Sequence, residues 1–230
     1  MERSAELSRE GLKAFPDSPL LSVELAWSRF LNVSLFFSSE PAADLDEANR
    51  LVDEVLASKS LSPQVARLAH WLRAWLLTLR HEHDQAVVEI NKAIAGAPYN
   101  AFTLTDAGVI ILEAGDAKKA LELIDSASAR DPSLAWFTNY ARGFTLLVLG
   151  RNEEAVAALK QTDFADAPLL QAAAHVRLGQ DAEAHAAVER MLKASPTVTV
   201  SSWRQAGSFR DPSIPDAIAA DIARAGLPGG

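Results

Sequence analysis

The sequence predicts an all-α chain of antiparallel helix pairs stacked into a solenoid, with a closing helix near its C-terminal end. Three observations predict it. Leu, Ala, Val and Ile recur at three- and four-residue spacing along nearly the whole chain, the period of one helical face. Helix starts and stops are marked at short intervals by Ser-Pro, Asn, Asp and Gly. A pattern of small and bulky apolar residues recurs at offsets of 34 and 35 residues, a period that belongs to stacked supersecondary units.

The elements follow from these marks. Helices are predicted over 4–15, 19–33, 44–58, 63–80, 84–96, 101–113, 117–130, 134–149, 152–162, 168–178, 181–194 and 213–225. Ser18-Pro19 and Ser62-Pro63 read as an N-cap followed by proline at the first helical position, where the missing N–H costs nothing. Asn100, Asp116, Asn152 and Asp181 can each cap a following helix through a side-chain oxygen. Asp44 with Glu47, and Ser213 with Asp216, have the spacing of a capping box. Gly115, Gly150 and Gly179 stand just before such starts, where a helix ending in a left-handed residue favours glycine. Strand-like alternation is confined to TVTVSS at 197–202. Short turns between short helices imply antiparallel neighbours.

The repeat fixes the phase. Ala86, Ile90, Ala93 and Pro98 have the spacing of Ala120, Ile124, Ala127 and Pro132, 34 residues on. Gly108, Ile111, Gly115, Ala120 and Ile124 match Gly143, Leu146, Gly150, Ala155 and Leu159 at an offset of 35. Gly150, Ala155 and Leu159 match Gly179, Ala184 and Val188 at an offset of only 29, so that unit is shortened. Upstream, Ala26, Ala48 and Val52 fit the same frame, with an insertion that includes LFFSSEPAA between the two helices. Small residues at Gly108, Ala120 and Ala127 would let helix axes approach, while bulkier neighbours fill the remaining space. No single pair buries its own apolar face, so stacking supplies the core.

A helix–turn–helix period near 34 resembles the tetratricopeptide repeat, carried best by Gly108, Ile111, Ala120, Ile124, Ala127 and Pro132 within 101–134 and extending over roughly residues 18–196. The resemblance implies a right-handed, tetratricopeptide-like α-solenoid of about five pairs with a C-terminal capping helix. The expected organisation is a repeat array over 1–196 and a capping segment over 197–230. Residues 4–15 read as the second helix of a pair whose first helix is missing.

The tail leaves the repeat frame. SIPDAIAADIARAG reads as an amphipathic closing helix that stops at Gly226, with Trp203 and Phe209 sealing the last repeat face. The segments SSWRQAGSFRDP and ARAGLP resemble the end of a group of bacterial proteins in which a tetratricopeptide array follows a class III adenylate cyclase domain or a winged-helix regulatory domain. The matching residues are Trp203, Arg204, Phe209, Arg210, Asp211, Pro212, Ala225, Gly226, Leu227 and Pro228. No cyclase or DNA-binding domain lies upstream in this sequence, so nothing catalytic carries over.

Composition narrows the function classes. The formal charge is −8, with no Lys/Arg run, which argues against a phosphate backbone as partner. Cysteine is absent, removing disulfides, thiolate catalysis and cysteine metal sites. MERSAELSREGLKAF lacks the apolar core of a secretory signal, and the apolar stretch FLNVSLFFSS stops at Glu40, short of the ~18 residues a membrane span needs. The expectation is a cytoplasmic protein that engages neither membrane nor nucleic acid.

Few residue groupings in the sequence could support chemistry. In His81-Glu82-His83-Asp84 the second histidine is two residues from the first, whereas a zincin helix needs four, so the cluster reads as a solvated turn. His175 and His185 lie on neighbouring helices and could approach each other. There is no Gly-rich phosphate loop and no nucleophile elbow. No enzyme activity, metal or cofactor is expected.

The family likeness implies a concave face lined by the first helix of each pair. Carried over, it places Trp27 and Phe30, then Trp71, Trp75 and Thr78, then Phe102, Thr105, Val109 and Leu112, then Phe137, Tyr140, Phe144 and Leu147 on that face. The Lys, Asn and Arg of the family's carboxylate-clamp variety are absent from it. The candidate partner-binding residues are therefore Trp27, Trp71, Trp75, Phe102, Thr105, Val109, Phe137, Tyr140 and Phe144. An aromatic, apolar groove suits a helix or an apolar peptide segment. The same rings could instead be core, or close a homodimer. The expected function is a non-catalytic protein-interaction scaffold. The alternative is a regulatory module of a signalling protein whose effector domain lies upstream or in a partner.

Overall fold

In a computed structural model, which describes residues 2–34, 37–205 and 207–230, the chain is helical throughout, with no strand among the described residues. It divides into two compact units, residues 1–98 and 99–230. The first holds α1 (Glu2–Ala14), α2 (Pro19–Ser34), α3 (Pro41–Leu56), α4 (Pro63–Leu79) and α5 (His83–Gly96). The second holds α6 (Ala101–Glu113), α7 (Ala117–Arg130), α8 (Ala135–Val148), α9 (Asn152–Leu159), α10 (Ala167–Arg177), α11 (Asp181–Ala194), α12 (Val200–Gln205) and α13 (Ser213–Arg224).

Within the first unit, α2 packs on α3 and α4 on α5, and α2 also meets α4. Within the second, the pairs are α6 with α7, α8 with α9 and α10 with α11. Their first helices meet in succession, α6 on α8 and α8 on α10, and α13 lies on α10. This is an all-α, tetratricopeptide-like solenoid of antiparallel helix pairs.

The repeated small residues are where the paired helices touch. A Cβ on Gly108 would stand 2.5 Å from Ile124 Cγ1 and 3.1 Å from the Ala120 carbonyl oxygen. A Cβ on Gly143 would stand 2.5 Å from Leu159 Cγ and 3.3 Å from the Ala155 carbonyl oxygen. Glycine is therefore required for space, since both residues sit inside right-handed helices. In the other pairs Ala26, Ala48 and Val52, then Ala74, Ala86 and Ile90, then Ala172, Ala184 and Val188 occupy the equivalent places, all buried.

The turns within these pairs also repeat. Gly115, Gly150 and Gly179 have φ of 102°, 73° and 69°. At each, the glycine N–H and the next N–H bond back to the helix, as Gly115 N to Leu112 O and Asp116 N to Ile111 O. Orphan carbonyls at the helix end are thereby satisfied. His81 takes the same place between α4 and α5, with φ 58° and the same two bonds. A histidine tolerates this backbone at a cost that glycine avoids.

Several sequence expectations need correction. Ser62, Asn100 and Asp116 cap as expected, accepting from Val65, Thr103 and Lys119 N–H. Asn152 and Asp181 do not, because each is already the first residue of its helix, with Arg151 and Gln180 at the capping position. Helix α3 likewise starts early, at Pro41, so Asp44 does not cap. It pairs instead with Arg29 at 2.6 Å. At α13 the capping position is Pro212, and Asp211 Oδ1 accepts from Ser213 N–H at 2.9 Å. TVTVSS is not a strand. Thr199 and Ser202 exchange side-chain hydrogen bonds to each other's N–H, at 3.1 and 3.0 Å, and α12 begins there. Of the insertion LFFSSEPAA, Leu35 and Phe36 lie outside the described residues, as does Ala206 of the tail.

Gly108→Ala tests the close approach. Alanine gains up to about 1 kcal/mol of helix propensity over glycine. Overpacking against fully buried Ile124 costs about 1–3 kcal/mol. We predict a net loss in urea denaturation, with Gly108→Ala/Ile124→Ala less destabilised than the sum of its single variants. A raised midpoint for Gly108→Ala would contradict the packing.

Candidate functional site

In the first unit Phe15 and Phe37 are exposed, while Trp27, Phe30, Trp71 and Trp75 pack together. Trp71 is buried, at 8% exposure, with Arg67 5.6 Å from its ring centroid. Trp27 is half-buried and meets Trp71 edge-on at 5.0 Å. Its indole N–H donates to Leu68 O at 3.2 Å. Trp75, half-buried, lies 6.1 Å from buried Phe30. These rings join α2 to α4.

The second unit carries a longer run of rings, part of it open. Phe102 on α6 is 39% exposed and lies 5.2 Å from Phe137 on α8. Phe137 is itself buried, and next to it Trp136 is 46% exposed. Trp136 stacks on Phe164 at 5.9 Å, with ring planes 9° apart. Phe164 stacks on Tyr140 at 4.0 Å, and Tyr140 leads to Phe144 at 6.3 Å and thence to Phe209 at 5.6 Å. Aromatic pairs at such separations gain about 0.5–1.5 kcal/mol beyond area burial. Thr105 is fully buried and its hydroxyl donates to Ala101 O, so it belongs to the helix interior. Val109 is half-buried.

Three acidic groups accompany these rings. Asp166, at the start of α10, accepts from the Tyr140 hydroxyl at 2.9 Å and from the Trp203 side chain. Burial pushes the Asp166 carboxyl up, against the pull of those two donors. Burial, then the Asp166 charge, pushes the Tyr140 phenol well above its usual value. Glu113, the last residue of α6, is raised by burial to about 8, and its charge adds to the push on Tyr140. Asp163 is exposed beside Phe164. Among the described residues no ion pair involves any of the three.

The repeat frame placed Phe102, Phe137, Tyr140 and Phe144 along one face, and the structure brings them together. It could not supply Phe164, Asp163 and Asp166, which come from the segment between α9 and α10, outside the frame. Trp136 and Glu113 were also missed. An exposed tryptophan beside a helix start was the one available signal.

One of the histidines is placed differently from expectation. His83 is buried, at 4% exposure, although the sequence reads as a solvated turn. The reversal at His81 carries α5 back along α4, so the first residue of α5 faces protein. His175 Nδ1 lies 2.6 Å from Gln180 Oε1 and His185 Nδ1 2.8 Å from Ala225 O, so each has its own partner. No group of three metal-ligating side chains occurs among the described residues. No helix among them is long and apolar enough to cross a membrane.

No protein-family model matches the sequence, and no curated protein matches it. Solved structures do. A tetratricopeptide protein with an unusual peptide-binding site, YrrB, aligns at 15% identity over 84% of this chain and 94% of its own, with a TM-score of 0.51. PilW, described as a widely conserved type IV pilus biogenesis factor, aligns at 18% identity over 90% of each chain, with a TM-score of 0.65. A thermophilic tetratricopeptide protein of Thermus thermophilus aligns at 18% identity over 90% of this chain and all of its own, with a TM-score of 0.61. At these identities the likeness is one of fold.

Glu113 makes stability depend on pH with a definite sign. Its folded pKa stands above the ordinary carboxylate value of 4.5. Its contribution is complete below that value and is lost as pH rises towards about 8. We predict that wild-type stability falls relative to Glu113→Gln between pH 5 and pH 8, measured by urea denaturation at each pH. Parallel profiles would contradict the assignment.

Proposed function

We propose that the chain is a non-catalytic interaction scaffold that holds a helix or apolar peptide segment against the ring face where α6 meets α8. One observation carries this reading: Trp136 and Phe102 expose 46% and 39% of their surface beside a run of stacked rings. Large rings left open on a rigid helical face lose little entropy when a partner covers them, and such residues dominate binding energies. The tetratricopeptide-type fold supports the reading, as does the unusual peptide-binding site ascribed to YrrB. Phe137 anchors the face from beneath, Tyr140 and Phe144 continue it, and Thr105 acts through α6 alone. Trp27, Trp71 and Trp75 serve the first unit's own packing.

In this reading the array runs to residue 196, and 197–230 closes it. Trp203 and Leu227 pack with the core formed by α8 to α13, while Phe209 is buried against Phe144. That packing suits the closing role that the tail resemblance implies. It keeps the regulatory-module reading as the second choice.

The test is selection of random peptides on the immobilised chain. We predict peptides with dissociation constants of about 1–100 μM. They should lose roughly tenfold in affinity on Trp136→Ala and on Phe102→Ala, with folding unchanged by circular dichroism. Absence of any selected peptide, or affinities indifferent to both substitutions, would overturn the proposal.

A further inference from the structure

We infer that the partner segment presents a basic side chain, arginine or lysine, that seats on the Trp136–Phe164 rings beside Asp163. This rests on the peptide-binding reading above and names the chemistry of its partner.

The recess is built for it by a short segment. Helix α9 ends at Leu159, and the chain then crosses to Asp166 before α10 begins. The crossing is pinned to α8. The Thr162 hydroxyl donates to Trp136 O, and Asn139 Nδ2 donates to Gln161 O at 3.3 Å. The Phe164 N–H donates to Thr162 Oγ1 at 3.2 Å. Phe164 is thereby held in stacking contact with both Trp136 and Tyr140. Trp136, Asp163, Phe164 and Ala165 line a recess of about 380 Å³.

Charge decides between occupants. A purely apolar segment would cover Asp163, which has no ion pair among the described residues, with nothing to offset its lost hydration, a cost of several kcal/mol for an uncompensated carboxylate. A cation removes that cost. It also gains the ring faces, worth about 0.5–2 kcal/mol. The protein's own cations do not fill the role. Arg142 pairs with Asp125, Arg177 with Asp221 and Arg204 with Asp216. Lys160, close by in sequence, forms no ion pair among the described residues. Asp166, which bonds the Tyr140 hydroxyl beneath the stack, adds to the negative field.

The experiment uses peptides from the selection described above, resynthesised with arginine, citrulline or norleucine at the basic position and titrated by fluorescence anisotropy. Citrulline keeps the shape of arginine and removes its charge. We expect the arginine peptide to bind at least tenfold more tightly than the citrulline peptide at low salt. Asp163→Asn, at an exposed position, should remove most of that difference by weakening the arginine peptide while leaving the citrulline peptide no weaker. Selected peptides that lack a basic residue, or bind equally as citrulline forms, would overturn this inference and leave the scaffold standing. If no peptide of any charge binds, both fall.

Discussion

The close approach of paired helices at Gly108 and Gly143 is the constraint on which the rest of the structure depends. Neither residue leaves room for a methyl group, since Ile124 and Leu159 fill that space. Each pair is thus locked at one register, with a small residue on both helices and one branched side chain wedged between them. The turn glycines follow from the same constraint. In α6–α7, α8–α9 and α10–α11 a tight reversal joins the touching helices, and the left-handed residue at Gly115, Gly150 or Gly179 supplies it.

This packing determines where the large side chains go. With the pair interface reserved for small residues, the rings of α6 and α8 lie on the other faces of those helices. There Phe102 meets Phe137 across the gap between successive first helices. The shortened repeat does the rest. Helix α9 has 8 residues where α7 has 14, so the chain leaves the frame early. The released segment delivers Phe164 onto Tyr140, and Asp166 to its hydroxyl. An irregularity in the repeat thus creates the most distinctive chemistry of the second unit.

The sequence made the repeat legible because the repeat is a packing rule, and packing rules leave residues at fixed offsets. Gly108 and Gly143, the turn glycines, and the caps at Ser62, Asn100 and Asp116 are all of this kind. What it concealed lies outside that rule. His81 occupies a glycine position without being glycine, and only the frame itself could have betrayed it. The β-branched run at 197–202 favours strand locally, yet the reciprocal bonds of Thr199 and Ser202 start a helix. Asn152 and Asp181 look like caps, but each is the first residue of its helix, and Arg151 and Gln180 hold the capping positions. The acids of the site could not be read at all. The raised carboxyls of Glu113 and Asp166 come from burial by segments distant in sequence, which no local pattern records.

The proposed function requires the ring face of α6 and α8 to be open in solution, whereas Trp71 of the first unit is buried. The most direct measurement is the shift between H₂O and D₂O of ¹⁹F resonances in protein labelled with 5-fluorotryptophan. The 5 tryptophans are few enough to assign by single Trp→Phe substitutions. A large solvent shift is expected for Trp136, a negligible one for Trp71, and no change on dilution. A Trp136 resonance as insensitive to solvent as that of Trp71, or sensitive only in dilute protein, would show that the face is covered by this chain or by a second copy of it.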